Sequence, residues 1–250
     1  MRILVLGGTT EASALASRLA GNPDFTPLLS MAGRTSSPRP LPIPVRIGGF
    51  GGVKGLARFL EDERIEAVVD ATHPFAAVMS RNAAEACATA GVPLLALRRP
   101  PWTPQEGDCW SEVPSMEAAV RALGDTPRRV FLTVGRLELP PFAEAPQHTY
   151  LVRTIEPIGD ALPGPSVIAI QDRAPFDETA ERRLMEHERV DVVVTKNSGG
   201  AATYPKIAAA RALGLPVIVV VRPEKPRDVE EVATAEAAFE WLERVHGRTP

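Results

Sequence analysis

The chain has 250 residues, 44% of them hydrophobic and 24% charged, with a formal net charge of -3. These are the proportions of a globular protein of one large domain or two modest ones, and they exclude a disordered chain or a basic nucleic-acid binder. Two cysteines without a short-range motif, Cys87 and Cys109, exclude a disulfide framework and a structural zinc centre; no metal ligand set is expected.

In chain order, short β-branched runs alternate with alanine-rich helical segments, the sequence form of repeated βα units and a parallel sheet. The pattern predicts a strand at Ile3 to Leu6, a helix from about Glu11 to Leu19, and strands at Thr26 to Ser30 and Val45 to Ile47. A helix follows over Val53 to Asp62, with apolar Leu56, Phe59 and Leu60 at helical spacing. Ala67 to Asp70 reads as a buried strand, Ala76 to Ala90 as a helix, and Val92 to Leu97 as the next strand. Arg98-Arg99-Pro100-Pro101-Trp102-Thr103-Pro104 breaks the alternation and reads as a crossover between domains.

Beyond it, strands are expected at Val130 to Val134, His148 to Val152, Val167 to Ile170, Val190 to Thr195 and Pro216 to Val221. Helices are expected at Met116 to Leu123, Asp177 to Glu188, Ala202 to Leu213 and Thr234 to Val245. The expected architecture is α/β: two Rossmann-like domains, 1–98 and 99–250, with mainly parallel sheets and a ligand cleft between them. No segment is long and apolar enough to span a bilayer, and Met1 to Leu6 is too short for a signal peptide. A cytoplasmic protein is expected, with neither membrane nor nucleic acid as partner.

Chemistry concentrates where strands end. Gly7-Gly8-Thr9-Thr10-Glu11 follows the first strand and opens the first helix, where a close backbone and helix N–H groups suit a phosphate. It departs from G-x-G-x-x-G, so a plain tight turn is the competing reading. The second strand ends without the acid that NAD-specific sites place there, and offers Arg34, Thr35 and Ser36 instead. An arginine flanked by hydroxyls suits a 2′-phosphate, so this end of the chain is expected to bind NADP(H). Gly49, Phe50 and Gly51 belong to a glycine loop after the third strand, suited to lying against a flat ligand, with Phe50 packing on a ring; a flexible surface turn is the competing reading. Thr72, His73 and Pro74 end the fourth strand at the same edge, Pro74 fitting a first helical position. His73 is a candidate phosphate ligand or proton donor.

In the second half a buried run delivers Lys196, Asn197 and Ser198 into Gly199 and Gly200, an anion-binding cup, with a buried polar turn that holds only its own backbone as the competing reading. Arg136 and Arg222 follow two other strands. Three cationic strand ends in a net acidic chain point to a substrate rich in carboxylates. The G-x-S-x-G elbow, the P-loop and metal-ligand spacing are all missing, so the difficult chemistry is expected to reside in the cofactor. Reduction of another polyanionic small molecule, or a non-catalytic NADP(H) sensor, remain alternatives at this point.

Taken in order, the first-turn motif, Gly-Gly-Phe-Gly-Gly, Asp70-Ala71-Thr72-His73-Pro74-Phe75-Ala76, Phe131 to Gly135, Thr195 to Gly200 and Val220 to Pro223 span most of the chain. This set resembles the precorrin-6A reductases, and the cobalt-precorrin-6A reductases of the anaerobic route, in cobalamin biosynthesis. The resemblance implies NADPH-dependent reduction of one double bond in a corrin-ring precursor, a tetrapyrrole with many acetate and propionate arms. It implies NADPH contacts from Gly8 to Glu11, Arg34 to Ser36 and Gly49 to Gly51. It places Lys196 to Gly200, Arg136 and Arg222 towards the substrate, with neighbouring pathway enzymes as further partners. Lys196 and His73 are the candidate proton donors, beside solvent and the substrate's own carboxylic acids.

Overall fold

The computed structural model describes residues 1–33, 40–164 and 166–247. From the N-terminus the chain forms β1 (Arg2–Leu6), α1 (Thr10–Leu19), β2 (Thr26–Met31), β3 (Val45–Ile47), α2 (Gly52–Asp62), β4 (Ala67–Asp70), α3 (Ala77–Ala90) and β5 (Leu94–Leu97). After the proline-rich crossing come β6 (Cys109–Val113), α4 (Met116–Leu123), β7 (Arg129–Thr133), β8 (Thr149–Thr154) and β9 (Val167–Gln171). Then follow α5 (Glu178–His187), β10 (Val192–Lys196), α6 (Pro205–Ala212), β11 (Pro216–Val220), β12 (Glu230–Val232) and α7 (Ala235–His246).

These strands build two six-stranded sheets, in the orders β12-β5-β4-β1-β2-β3 and β6-β11-β10-β7-β8-β9. Every pairing among the described strands is parallel. Each sheet grows outward from its centre and reverses once, between β1 and β4 in the first and between β7 and β10 in the second. Crevices at the carboxyl ends of such reversal points are where open α/β sheets bind ligands.

The domain boundary differs from the sequence expectation. The compact units are Met1–Pro100 together with Pro223–Pro250, and Pro101–Arg222. The last segment returns because β12 continues the first sheet, pairing Glu230 with Leu95 and Val232 with Leu97. Behind it, α7 completes an apolar layer, where Ala238, Trp241 and Leu242 join Leu15 and Leu19 of α1. The edge of the second sheet is filled from the other direction, by β6 pairing with β11.

Strand alternation explains both faces of the first sheet. Ile3 and Val5 enter the layer with α1 and α7, while Leu4 and Leu6 meet Leu56, Leu60, Ala83 and Cys87 from α2 and α3. Each fully buried aliphatic side chain contributes on the order of 1.5–3 kcal/mol. Cys87 is buried, and desolvation, with the Asp70 carboxylate adding to it, pushes its thiol up to about 12. It is a packing residue, in line with its alanine-rich surroundings. In the second unit Phe131, Leu151, Val193 and Val219 form the corresponding layer with Met185, Ile207 and Ala210.

One buried titratable group gives this unit a pH dependence. His148 is 1% exposed and accepts a hydrogen bond on Nδ1 from the Arg128 N–H at 3.2 Å. Burial holds its pKa below the ordinary 6.5, and the Arg128 charge acts in the same direction. The unfolded chain therefore takes up a proton near that pH while the folded chain resists, so stability falls on acidification through that window. Melting temperature measured from neutral pH to about one unit below the ordinary histidine value should drop, and His148→Asn should flatten this part of the decline.

Candidate functional site

At the reversal point of the first sheet, Gly7 donates its N–H to Ser30 O at 2.8 Å. A Cβ on Gly7 would stand 2.8 Å from Leu29 Cδ1, whereas Gly8, at φ +122°, has nothing within 4 Å of that position. The turn is thus packed against β2 on one side and open on the other, as a backbone that a ligand approaches closely must be. Thr9 caps α1: its Oγ1 accepts from Ala12 N at 3.1 Å and donates to Ala71 O at 2.8 Å. That single hydroxyl ties the β1 turn to the tip of β4. Other N–H groups of the first turn have no acceptor within the helix, and they carry the positive end of its dipole.

Thr10 Oγ1 donates to Glu11 Oε2 at 3.1 Å, and Arg99 Nη1 donates to the same carboxylate oxygen at 2.9 Å. Arg99, two residues beyond β5, was missed because its segment reads from its prolines as a crossover between domains. Scanning every strand end would have found it.

The tip of β4 is fixed by a buried carboxylate. Asp70 Oδ1 accepts from Thr72 N at 3.1 Å and Thr72 Oγ1 at 2.6 Å, and Oδ2 accepts from Ser80 Oγ at 2.5 Å. Thr72 therefore shapes the turn. Pro74 does not begin the helix as expected: Ala76 N donates to His73 O at 2.8 Å, closing a separate turn, and α3 starts at Ala77. His73 Nδ1 accepts from Phe75 N at 3.3 Å, so its neutral ring carries hydrogen on Nε2. Lys225, on the returning segment, donates to His73 O at 3.3 Å and Thr72 Oγ1 at 3.5 Å.

The glycine loop after β3 has an organiser that the sequence did not reveal. Arg46 donates to Ser30 Oγ (2.8 Å), Gly48 O (3.0 Å) and Gly49 O (3.1 Å). Its guanidinium lies 4.0 Å from the Phe50 ring centroid, and Phe59 meets Phe50 edge-on at 5.1 Å. Phe50 was expected to pack on a ligand ring; in the structure its ring packs on Arg46 and Phe59, and Gly51 stands at the N-cap of α2. Arg34, Thr35 and Ser36 lie outside the described residues.

At the reversal point of the second sheet, Lys196 ends β10 and its Nζ donates to Glu138 Oε1 at 2.6 Å. Glu138 closes the 3-10 turn Arg136–Glu138 that follows β7, so Lys196 and Arg136 are brought to neighbouring strand tips. Arg136 is exposed and has no ion-pair partner among the described residues.

The rest of the Lys-Asn-Ser-Gly-Gly turn is held from outside. Asn197, 5% exposed, accepts from Trp102 N at 2.8 Å and donates to Trp102 O at 2.9 Å. Trp102 Nε1 in turn donates to Gly200 O at 2.9 Å. Arg222 donates to Asn197 O at 2.9 Å and to Ser198 O at 3.1 Å. Asn197 and Arg222, expected to face a substrate, are thus engaged with backbone of their own unit. Gly199 and Gly200 have φ of +67° and +76°, which lets the backbone turn sharply before α6. Neither Trp102 nor Glu138 carried a sequence signal, because both contacts span more than fifty residues.

Among the described residues no cluster of His, Cys, Asp or Glu could hold a metal, and no helix is long and apolar enough to cross a membrane. Residues 2–243 match the family described as precorrin-6x reductase CbiJ/CobK. A precorrin-6A reductase from a Sinorhizobium species is 54% identical over 96% of this chain and 94% of its own. Another from Rhodobacter capsulatus is 51% identical over 100% of this chain and 98% of its own. A solved structure titled CobK precorrin-6A reductase superposes with a TM-score of 0.92, at 50% identity, covering 100% of this chain and 98% of that one. Two parallel Rossmann-like sheets, glycine-rich and cationic turns at their reversal points, and similarity along the whole length agree: the chain belongs to the precorrin-6x reductase family.

Proposed function

We propose that this oxidoreductase reduces one double bond of precorrin-6A in cobalamin biosynthesis, with NADPH as reductant, in the cytoplasm and among the other enzymes of that route. The observation that carries the cofactor assignment is the first reversal point. There the open Gly8 and the capped start of α1 stand beside the Thr72–His73 turn, joined by Thr9. A diphosphate fits this place because it meets N–H groups and a helix dipole, with open space in front of Gly8. Gly7 to Glu11, through their backbone, and Gly49 to Gly51 are the proposed cofactor contacts, with Arg34, Thr35 and Ser36 on the 2′-phosphate. Arg46 and Asp70 hold the flanking turns in shape.

When bound, NADPH supplies the two reducing electrons. The chain's own work is to orient, to hold charge and to supply a proton. In the second unit Lys196, Arg136, Ser198 and the Gly199–Gly200 backbone are the proposed contacts for substrate carboxylates, with Asn197 and Arg222 positioning that turn. Lys196 Nζ is the proposed proton donor, and His73 Nε2 is the corresponding group on the first unit. Whether the substrate carries cobalt is decided by the same test as the activity.

Anaerobic turnover with metal-free and cobalt-loaded precorrin-6A, with NADPH or NADH, tests the assignment. Loss of NADPH absorbance together with reduced macrocycle supports it; cofactor bound but not consumed would overturn it. Arg34→Ala should weaken NADPH binding by about tenfold or more and NADH binding little, since a bidentate charged contact is lost only from the phosphorylated form. Equal weakening of both would remove the 2′-phosphate assignment.

A further inference from the structure

The start of α1 presents a contradiction if it holds a diphosphate. Glu11 lies in the first helical turn, with its side chain 19% exposed, and a carboxylate there repels the anion that the helix end attracts. The structure contains the remedy. Arg99 reaches from the segment after β5 to within 2.9 Å of Glu11 Oε2, and its side chain is 14% exposed. Thr10 Oγ1 donates to the same oxygen and lies 3.4 Å from Arg99 Nη1, so three side chains lock one arrangement at the turn.

We propose that Arg99 is a positioning residue of the cofactor site, acting by neutralising Glu11 so that a diphosphate docks at the start of α1. The inference rests on the NADPH reading above, but it assigns work to residues at which that reading stops. Its signature is charge compensation. Removing the arginine alone exposes the ligand to the carboxylate; removing both charges restores neutrality. A direct arginine–phosphate contact predicts no such restoration, and a purely structural bridge predicts that adenosine 2′-phosphate weakens alongside NADPH.

NADPH and adenosine 2′-phosphate are titrated calorimetrically into the wild type, Arg99→Met, Glu11→Gln and the double variant, at low and high salt. Adenosine 2′-phosphate carries the 2′-phosphate without the diphosphate. Arg99→Met should raise the NADPH Kd on the order of tenfold at low salt, and less at high salt because the repulsion is screened. The double variant should return to within about threefold of wild type, Glu11→Gln should bind no more weakly than wild type, and adenosine 2′-phosphate should bind nearly alike throughout. If the double variant binds as weakly as Arg99→Met, or Arg99→Met binds as wild type, the proposal is overturned. Should Arg99→Met fail to fold, Arg99→Lys with and without Glu11→Gln decides it: both must bind NADPH close to wild type. A wild type that binds neither ligand would overturn the underlying cofactor reading instead, and with it this one.

Discussion

Arg153→Met should remove about 3–5 kcal/mol from the stability of the second unit, the expected cost of stranding one partner of a buried ion pair. Arg153 and Glu181 have side chains only 4% and 3% exposed, and Arg153 Nη2 donates to Glu181 Oε2 at 2.8 Å in a two-pronged pair. The guanidinium also lies 3.7 Å from the Phe176 ring centroid, so methionine loses this contact as well as the charge. The carboxylate left behind would have neither water nor a cation. Pairing the change with Glu181→Met should recover most of the loss, because two apolar side chains of similar volume need no desolvation penalty. Chemical denaturation of the three variants measures this. A loss below about 1 kcal/mol for Arg153→Met would mean that water reaches Glu181.

Lys196→Met should lower kcat by on the order of 10²–10⁴, the usual range for removing a positioned proton donor. NADPH affinity should be unchanged, as expected of a residue that acts on the substrate. A rise in KM with kcat preserved would make the lysine a carboxylate anchor only. Unaltered kcat and KM would remove it from the site. Glu138→Gln separates the two roles further. It takes away the charge that Lys196 now meets at 2.6 Å, so a lysine that grips substrate should bind the polycarboxylate more tightly in this variant.

The repeat of strand and helix was legible because β1, β4, β10 and β11 are near-continuous aliphatic runs, the pattern of strands buried on both faces. Two strands were not legible. Cys109–Val113 is largely exposed at a sheet edge, and Glu230–Val232 has three residues, two of them acids. Both exist because a neighbouring strand supplies the hydrogen bonds, a tertiary cause that local pattern does not record. Only Glu230–Val232 bears on the division into units, because its pairing with β5 carries the C-terminal segment back to the first sheet.

The site divides in the same way. Turns were found from their glycines, since a backbone conformation leaves its mark on the residues that adopt it. Partners were not: Asn197 with Trp102, Lys196 with Glu138 and Arg46 with Ser30 join residues that only folding brings together. That is why the contacts by which Asn197 and Arg222 hold their own loop were not legible beside their expected part in substrate binding.

The return of Pro223–Pro250 to the first unit sets an order of assembly. A growing polypeptide completes the continuous stretch Pro101–Arg222 before it has made the helix that seals the layer of Leu15 and Leu19. The part begun first is therefore finished last. Until the ribosome has released Trp241 and Leu242, one face of the N-terminal sheet stays greasy and open, the moment at which a nascent chain most needs protection from its neighbours.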